Sequence, residues 1–157
     1  MYVLIFLFSI ILANLSVKFF GPVSMPINAF ILIGLDISLR DKLHESWHGD
    51  KLLLKMFVLV LISGIITYLL NHGAGRIAIA SVSAFTGAFI IDFLIYQRLF
   101  KRHKLVKMNG SNLGSAAVDS ILFPTIAFGV LMPWIIILQF LAKVIGGGIW
   151  AWILTRK

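Results

Sequence analysis

The sequence predicts an all-α polytopic membrane protein, built as one bundle of about six transmembrane helices in a single domain, residues 1–157. Composition is the first observation: 60% of the 157 residues are hydrophobic and 13% are charged, whereas a soluble domain has about 45–50% apolar and about 25% charged residues. The second is a succession of six apolar segments, which at ~20 residues for each crossing use most of the chain. The absence of cysteine excludes disulfides and thiolate metal sites.

Six segments are predicted to span the membrane. They cover, in chain order, residues 2–20, 23–37, 52–70, 77–96, 113–131 and 134–154. The first lacks a basic leader and a cleavage site, which favours a retained helix over a signal peptide. The second is short and carries Pro26, Asn28 and Gly34, so a tilted or partly re-entrant course stays open beside a full crossing. Residues 38–51 are predicted to form a polar loop, and Pro133 suits the first turn of the last helix.

Turn residues and charges separate the other segments and predict their orientation. A glycine-containing turn at 71–75 follows the third segment, and a basic stretch at 98–107 follows the fourth. Ten of the 14 Lys and Arg residues fall on one side of the predicted bundle, and only Lys18 and Arg76 fall on the other. The positive-inside rule therefore predicts cytoplasmic termini in the cell inner membrane. The basic stretch then indicates orientation and contact with anionic lipid, with no nucleic-acid partner.

Three ionisable residues interrupt the predicted spans: Asp92, Asp119 and Lys143. A charge inside the bilayer is costly, so such residues face the bundle interior and are candidates for function. Both aspartates end a Gly-small-x-x-aliphatic-Asp pattern and precede an aromatic residue by four positions, which is compatible with an internal repeat. The alternative interpretation is that both acids pair with Lys143 or Arg76 only to hold the helices together.

Helical spacing places further polar and aromatic residues on the same stripes as these three. The stripes join Asp119 to Asn112, Ser115 and Phe123, Asp92 to Phe85 and Tyr96, and Lys143 to Gln139. A stripe that carries an amide, a hydroxyl, a carboxylate and an aromatic ring is typical of a binding face and not of a lipid-facing surface.

The segment 44–48 reads His-Glu-Ser-Trp-His, which matches the H-E-x-x-H signature of zinc proteases. The signature needs a third ligand and a shielded cleft, whereas this copy lies in a charge-rich segment without an obvious third ligand downstream. We interpret it as a cytoplasmic loop with helical character and predict no catalytic residue, metal site or cofactor. A zinc-dependent membrane protease is the alternative.

The polar residues of the last three spans resemble those of the queuosine-precursor transporter (vitamin uptake transporter, VUT) family. The resemblance covers about residues 20–150 and is carried by Arg76, Ser81 to Phe85, Asp92, Asn109 to Asn112, Asp119, Phe123, Gln139 and Lys143. It implies a non-enzymatic inner-membrane importer of a 7-deazapurine, such as 7-cyano-7-deazaguanine or its aminomethyl relative. The chain departs from the family after its second span, where Asp36 is followed by the charged residues 40–45, and its short length suggests a compact, phage-derived version.

The chemistry of the predicted site residues suits such a ligand. One carboxylate, from Asp119 or Asp92, would accept the ring N–H and the exocyclic amine in bidentate geometry. The implied substrate-binding set consists of these acids, the donors Asn112, Gln139 and Lys143, the aromatic rings of Phe85, Phe123 and Tyr96, and Ser115 and Arg76. A different class stays open, namely a non-transporting membrane protein such as a holin or an assembly subunit. Homo-oligomerisation and a separate energising module are also left open.

Overall fold

The computed structural model describes residues 1–47, 51–99 and 104–155 as a bundle of six helices, without a strand in this part of the chain. We number them α1 (Tyr2–Phe20), α2 (Met25–Asn28, Ala29–Ile33 and Gly34–Trp47 in succession), α3 (Leu52–Leu70), α4 (Gly75–Arg98), α5 (Lys104–Phe128) and α6 (Pro133–Thr155). The middle segment of α2 is π-helical. Short 3₁₀ turns, Gly21–Ser24 and His72–Ala74, precede α2 and α4.

Four helical segments are long and apolar enough to cross a membrane: Tyr2–Arg40, Leu53–Leu70, His72–Ile95 and Pro133–Leu154. The chain is therefore a membrane protein whose described part is almost entirely helical. The first segment has 39 residues and contains α1 and most of α2. It folds back on itself at Gly21, whose φ of 69° is readily adopted by glycine. Its two arms are antiparallel, because Asn28 donates to the Ala13 carbonyl and Ser9 donates to Asp36.

The polar segment 38–51 was predicted to be a loop, and this prediction is wrong for most of its length. Helix α2 continues through it to Trp47. Leu39, Arg40 and Leu43 are buried, because one face of this polar helix packs into the bundle. The second predicted span is helical throughout, and Pro26 lies in its first turn, where a missing N–H leaves no helical hydrogen bond unmade.

Small residues bring α4 and α5 into close contact. A Cβ atom added to Gly87 would lie 2.7 Å from Leu122 Cδ1, and one added to Gly114 would overlap Ile95 Cδ1. The two helices are therefore antiparallel, because higher numbers on one helix face lower numbers on the other. Glycine at these positions allows a backbone separation that a larger residue would prevent.

Helices α2 and α6 touch backbone to backbone at a contact that we call the glycine crossing, formed by Phe30, Gly34, Gly146 and Gly147. A Cβ on Gly34 would lie 2.7 Å from the carbonyl carbon of Gly146, and one on Gly146 would overlap the Phe30 carbonyl oxygen. The Ser38 hydroxyl donates to the Gly147 carbonyl at 3.2 Å. The π-helical segment of α2 lies at this crossing, and α2 and α6 run parallel there.

Two hydrophobic clusters fill the bundle and leave a polar region between them. One contains Phe6, Ile10, Leu39, Leu43, Met56 and Val60, and the other contains Val17, Met25, Ile77, Ala80 and Ala127. On α1, Ala13 and Asn14 lie between the two clusters, and both line a cavity. The packing thus positions a cavity in the middle of the bundle.

Candidate functional site

The central cavity is lined by side chains from α1, α2, α4, α5 and α6. The space open to the centres of water molecules is about 90 Å³, several times the ~10–15 Å³ that one water molecule needs. Its wall combines aliphatic and aromatic side chains with a few polar groups. Such a lining is typical of sites for small organic molecules.

An ion pair between a buried lysine and a partly buried aspartate forms one part of the wall. Lys143 Nζ lies 2.5 Å from Asp119 Oδ2 and donates to Ser120 Oγ at 3.0 Å. Lys143 is only 1% exposed, so its charge depends on these partners. The pair joins α5 to α6 and places a hydrogen-bond donor directly beside a carboxylate at the cavity surface.

Gln139 lies one helical turn before Lys143 and also faces the cavity. It is 3% exposed, and its Nε2 has no hydrogen-bond partner among the described residues. A buried amide without a partner costs about 1–3 kcal/mol. The unpaired donor is therefore suited to an acceptor on a bound molecule.

Asp36 and Arg40, on α2, also line the cavity, although the sequence interpretation placed Asp36 at the end of a span and Arg40 in a loop. Asp36 Oδ1 accepts a hydrogen bond from Ser9, and its buried Oδ2 has no partner in the described part of the chain. The four-residue spacing of the two residues, in phase with buried Leu39 and Leu43, is the signal that could have found them.

Arg40 connects α2 to two other helices. Its Nη2 donates to Asn112 Oδ1 of α5 at 2.9 Å and lies 3.8 Å from Asp92 Oδ1 of α4. Asn112 and Asp92 do not themselves line the cavity. The two aspartates therefore have different surroundings: Asp92 lies outside the cavity and faces Arg40, whereas Asp119 lies on the cavity wall and faces Lys143.

The structure brings six of the predicted site residues together around the cavity. These are Asp119, Lys143, Gln139, Ser115, Phe123 and Phe85. The ring of Phe85 stacks on Phe89 with centroids 6.2 Å apart and meets Phe6 edge to face at 6.3 Å. It is therefore held by neighbouring rings while one part of it faces the cavity. Tyr96 lies in α4, and its side chain is outside the part of the structure that is described.

Arg76 is placed away from the cavity. It is exposed in the first turn of α4, and its Nε donates to the Ile126 carbonyl at 3.0 Å, near the C-terminus of α5. Neither aspartate pairs with it, since Asp119 contacts Lys143 and Asp92 faces Arg40. Its position at the end of the bundle follows from the start of α4 at Gly75.

We expect Arg76→Gln to leave substrate affinity unchanged and to lower stability slightly. The substitution removes a cation that interacts with the last carbonyls of α5, a contribution of about 0.3–1 kcal/mol. Binding and thermal unfolding of the purified variant would be measured together. A large loss of substrate affinity with normal stability would show that Arg76 takes part in substrate binding.

The H-E-x-x-H sequence is outside the part of the molecule whose side chains are described. His48 is not among the described residues, and His44 and Glu45 are described only as part of helix α2. In the part of the chain that the structure describes, no group of three His, Asp or Glu side chains could hold a metal ion.

Comparison with known proteins gives one match. The family model described as "Putative vitamin uptake transporter" (Vut_1) matches residues 1–155. No curated protein and no solved structure matches the chain significantly. The match extends over all six helices and every cavity-lining residue, and it agrees with the apolar helices. The chain belongs to the vitamin uptake transporter family and is a membrane transporter of vitamin-like compounds.

Proposed function

We propose that this transporter imports a queuosine precursor, a 7-deazaguanine with a small substituent on C7, through the central cavity. The observation that carries the proposal is the Asp119–Lys143 pair on the cavity wall, with Lys143 Nζ 2.5 Å from Asp119 Oδ2. One edge of a 7-deazaguanine presents a carbonyl, a ring N–H and an exocyclic amine in a row. That order of one acceptor and two donors is complementary to a lysine beside a carboxylate.

Asp119 accepts the two N–H donors of the base, and Lys143 donates to its carbonyl. An ionised carboxylate has about four lone-pair sites, so the hydrogen bond from Lys143 leaves room for two more. Bidentate contact between two parallel donors and a carboxylate is among the stronger and more specific hydrogen-bonded arrangements. The unpaired Nε2 of Gln139 is a second donor for the carbonyl.

Aromatic side chains supply the remaining contacts. Phe85 and Phe123 both line the cavity, and their rings can pack against the flat faces of a bicyclic base. Discrimination then comes from the polar groups, because a compound without the matching edge leaves buried donors and acceptors unpaired.

The proposed topology has six crossings and cytoplasmic termini in the inner membrane. It is supported by the direction of the helices: α1 is antiparallel to α2 and α4 to α5, whereas α2 and α6 are parallel. Successive crossings in alternate directions would bring residue 1, the α2–α3 connection, the α4–α5 connection and residue 155 to one end. The segments at that end contain most of the Lys and Arg residues of the chain, which is the cytoplasmic pattern.

A purely structural role for the buried polar residues is less well supported. A protein that used them only to hold helices together would gain most by pairing all of them. Asp36 Oδ2 and Gln139 Nε2 are buried without a partner in the described part of the chain, and both residues face the cavity. Two unpaired groups on one cavity are better explained by a ligand.

The proposal is tested by thermal unfolding of the detergent-purified protein with 7-cyano-7-deazaguanine, its aminomethyl relative, guanine and riboflavin. A ligand that binds only the folded protein stabilises it by about 2.7 kcal/mol at 100 times its Kd. We expect both 7-deazaguanines to raise the unfolding temperature and riboflavin to leave it unchanged. A shift with riboflavin alone, or with none of the four compounds, would refute the proposed substrate.

A further inference from the structure

The charged residues of the cavity and its border do not balance. Among the described residues, this region contains three carboxylates and two cations. Lys143 pairs with Asp119, and Arg40 lies 3.8 Å from Asp92. Asp36 is the third carboxylate. Arg40 lies one helical turn from it and acts on it electrostatically, but Asp36 forms no ion pair with a described Lys, Arg or His. With all five groups ionised, the region would carry one negative charge more than its cations.

The surroundings of Asp36 leave one oxygen for a ligand. Oδ1 accepts a hydrogen bond from Ser9, whereas Oδ2 is buried without a partner among the described residues. Asp36 is 6% exposed and lies on the cavity wall. A buried carboxylate oxygen without a hydrogen-bond or ion-pair partner is unfavourable, and a ligand that places a positive charge at this oxygen supplies one.

We propose that Asp36 Oδ2 binds a protonated amine of the transported compound. This inference rests on the proposed function and narrows it to 7-deazaguanines whose C7 substituent ends in an amine, in preference to those with a nitrile. One free oxygen suits a single N–H donor of an ammonium group. The two-donor edge of the base needs both oxygens of a carboxylate and stays with Asp119.

The other two carboxylates are poorer partners for the amine. Asp119 already has a lysine nitrogen at 2.5 Å, so a second cation there would meet like-charge repulsion. Asp92 faces Arg40 and does not line the cavity. Asp36 therefore combines the three required properties: contact with the cavity, a free oxygen and no paired cation in the described part.

The test compares the affinities of the aminomethyl and the cyano compounds for the purified full chain, first in the wild type and then in Asp36→Asn. We expect the wild type to bind the amine at least about tenfold more tightly, because hydrogen bonds between charged groups are roughly twice as strong as neutral ones. Asp36→Asn should remove this preference and leave nitrile binding within about threefold of the wild type. Nitrile binding also shows that the variant is folded.

Ser9→Ala is the matched control, because it removes the neighbour of Oδ1 and keeps the Asp36 charge. The preference for the amine should survive in this variant.

Equal affinities of the two compounds for the wild type, or an undiminished preference in Asp36→Asn, would overturn the inference. Sodium-dependent binding of both compounds would also overturn the inference, because the cation at Asp36 would then come from solution. If Asp36→Asn does not fold, the affinities of the two compounds for the wild type test the inference by themselves. Failure of both compounds to bind the wild type would instead refute the proposed substrate class.

Discussion

Uptake of the substrate is expected to stop, with a loss of at least about 100-fold, when Asp119 is replaced by asparagine. The amide keeps the shape of the side chain but cannot accept two N–H donors with both of its terminal atoms. It also leaves the Lys143 ammonium, which is 1% exposed, without its charge partner. A buried charge that loses its partner is strongly destabilising. Uptake of labelled 7-deazaguanine by cells or liposomes, normalised to the amount of inserted protein, measures the effect.

A double variant separates binding from stability. Asp119→Asn combined with Lys143→Met removes both charges, and such replacements of a buried pair are often neutral or stabilising. We expect the double variant to regain the unfolding temperature of the wild type and to remain inactive in uptake. Wild-type uptake by the double variant would show that the pair serves only to join α5 to α6.

The second large effect is expected for Gly146→Ala at the glycine crossing. The added Cβ would overlap the Phe30 carbonyl oxygen and lie 2.9 Å from the Phe30 carbonyl carbon. Both atoms belong to the backbone of α2, so no side-chain rotation can relieve the overlap, and the helices must separate. We expect a loss of stability of at least ~1–3 kcal/mol, with reduced uptake, because Lys143 and Gln139 lie on the displaced helix. Thermal unfolding in detergent measures it.

Gly148→Ala is the matched control for this effect. It makes the same chemical change two residues later on α6, where an added Cβ has nothing within 4 Å. Replacing glycine by alanine in a helix is favourable by about 1 kcal/mol when space allows, so Gly148→Ala should be neutral or stabilising. Equal unfolding temperatures for the two variants would mean that α2 and α6 are not in close contact.

Helical spacing in the sequence was enough to group the polar cavity residues of α5 and α6. Asp119, Ser115 and Phe123 recur at intervals of four residues in an apolar helix, as do Lys143 and Gln139, and all five line the cavity. In such helices a polar stripe has few alternatives to the bundle interior. The partner of Asp119 could not be chosen, because Lys143 and Arg76 were equally available in the sequence and only packing separates them.

The polar cavity residues of α2 were missed because Arg40 was assigned to a loop and Asp36 to the end of the span before it. Asp36 and Arg40 lie near the charged segment that ends α2, and its composition favours solvent exposure. Their burial depends on α2 continuing as a helix and on Asn112 and Ser9 reaching them from other helices. Contacts of this kind come from tertiary structure, and the local signal for them is the four-residue spacing of Asp36 and Arg40 in phase with the buried leucines of α2.

The position of the glycine crossing determines how far each part of α6 would move if this helix tilted against α2. At ~1.5 Å per residue, Lys143 lies ~4.5 Å along α6 from Gly146, whereas Trp134 lies ~18 Å away. If α6 tilts by ~10° against α2 with the crossing as pivot, Lys143 moves by ~1 Å and Trp134 by ~3 Å. Asp36 is ~3 Å along α2 from Gly34 and would move even less. A pivot at this place would let the far end of α6 move by ~3 Å while Lys143 and Asp36, which are close to the crossing, nearly keep their positions.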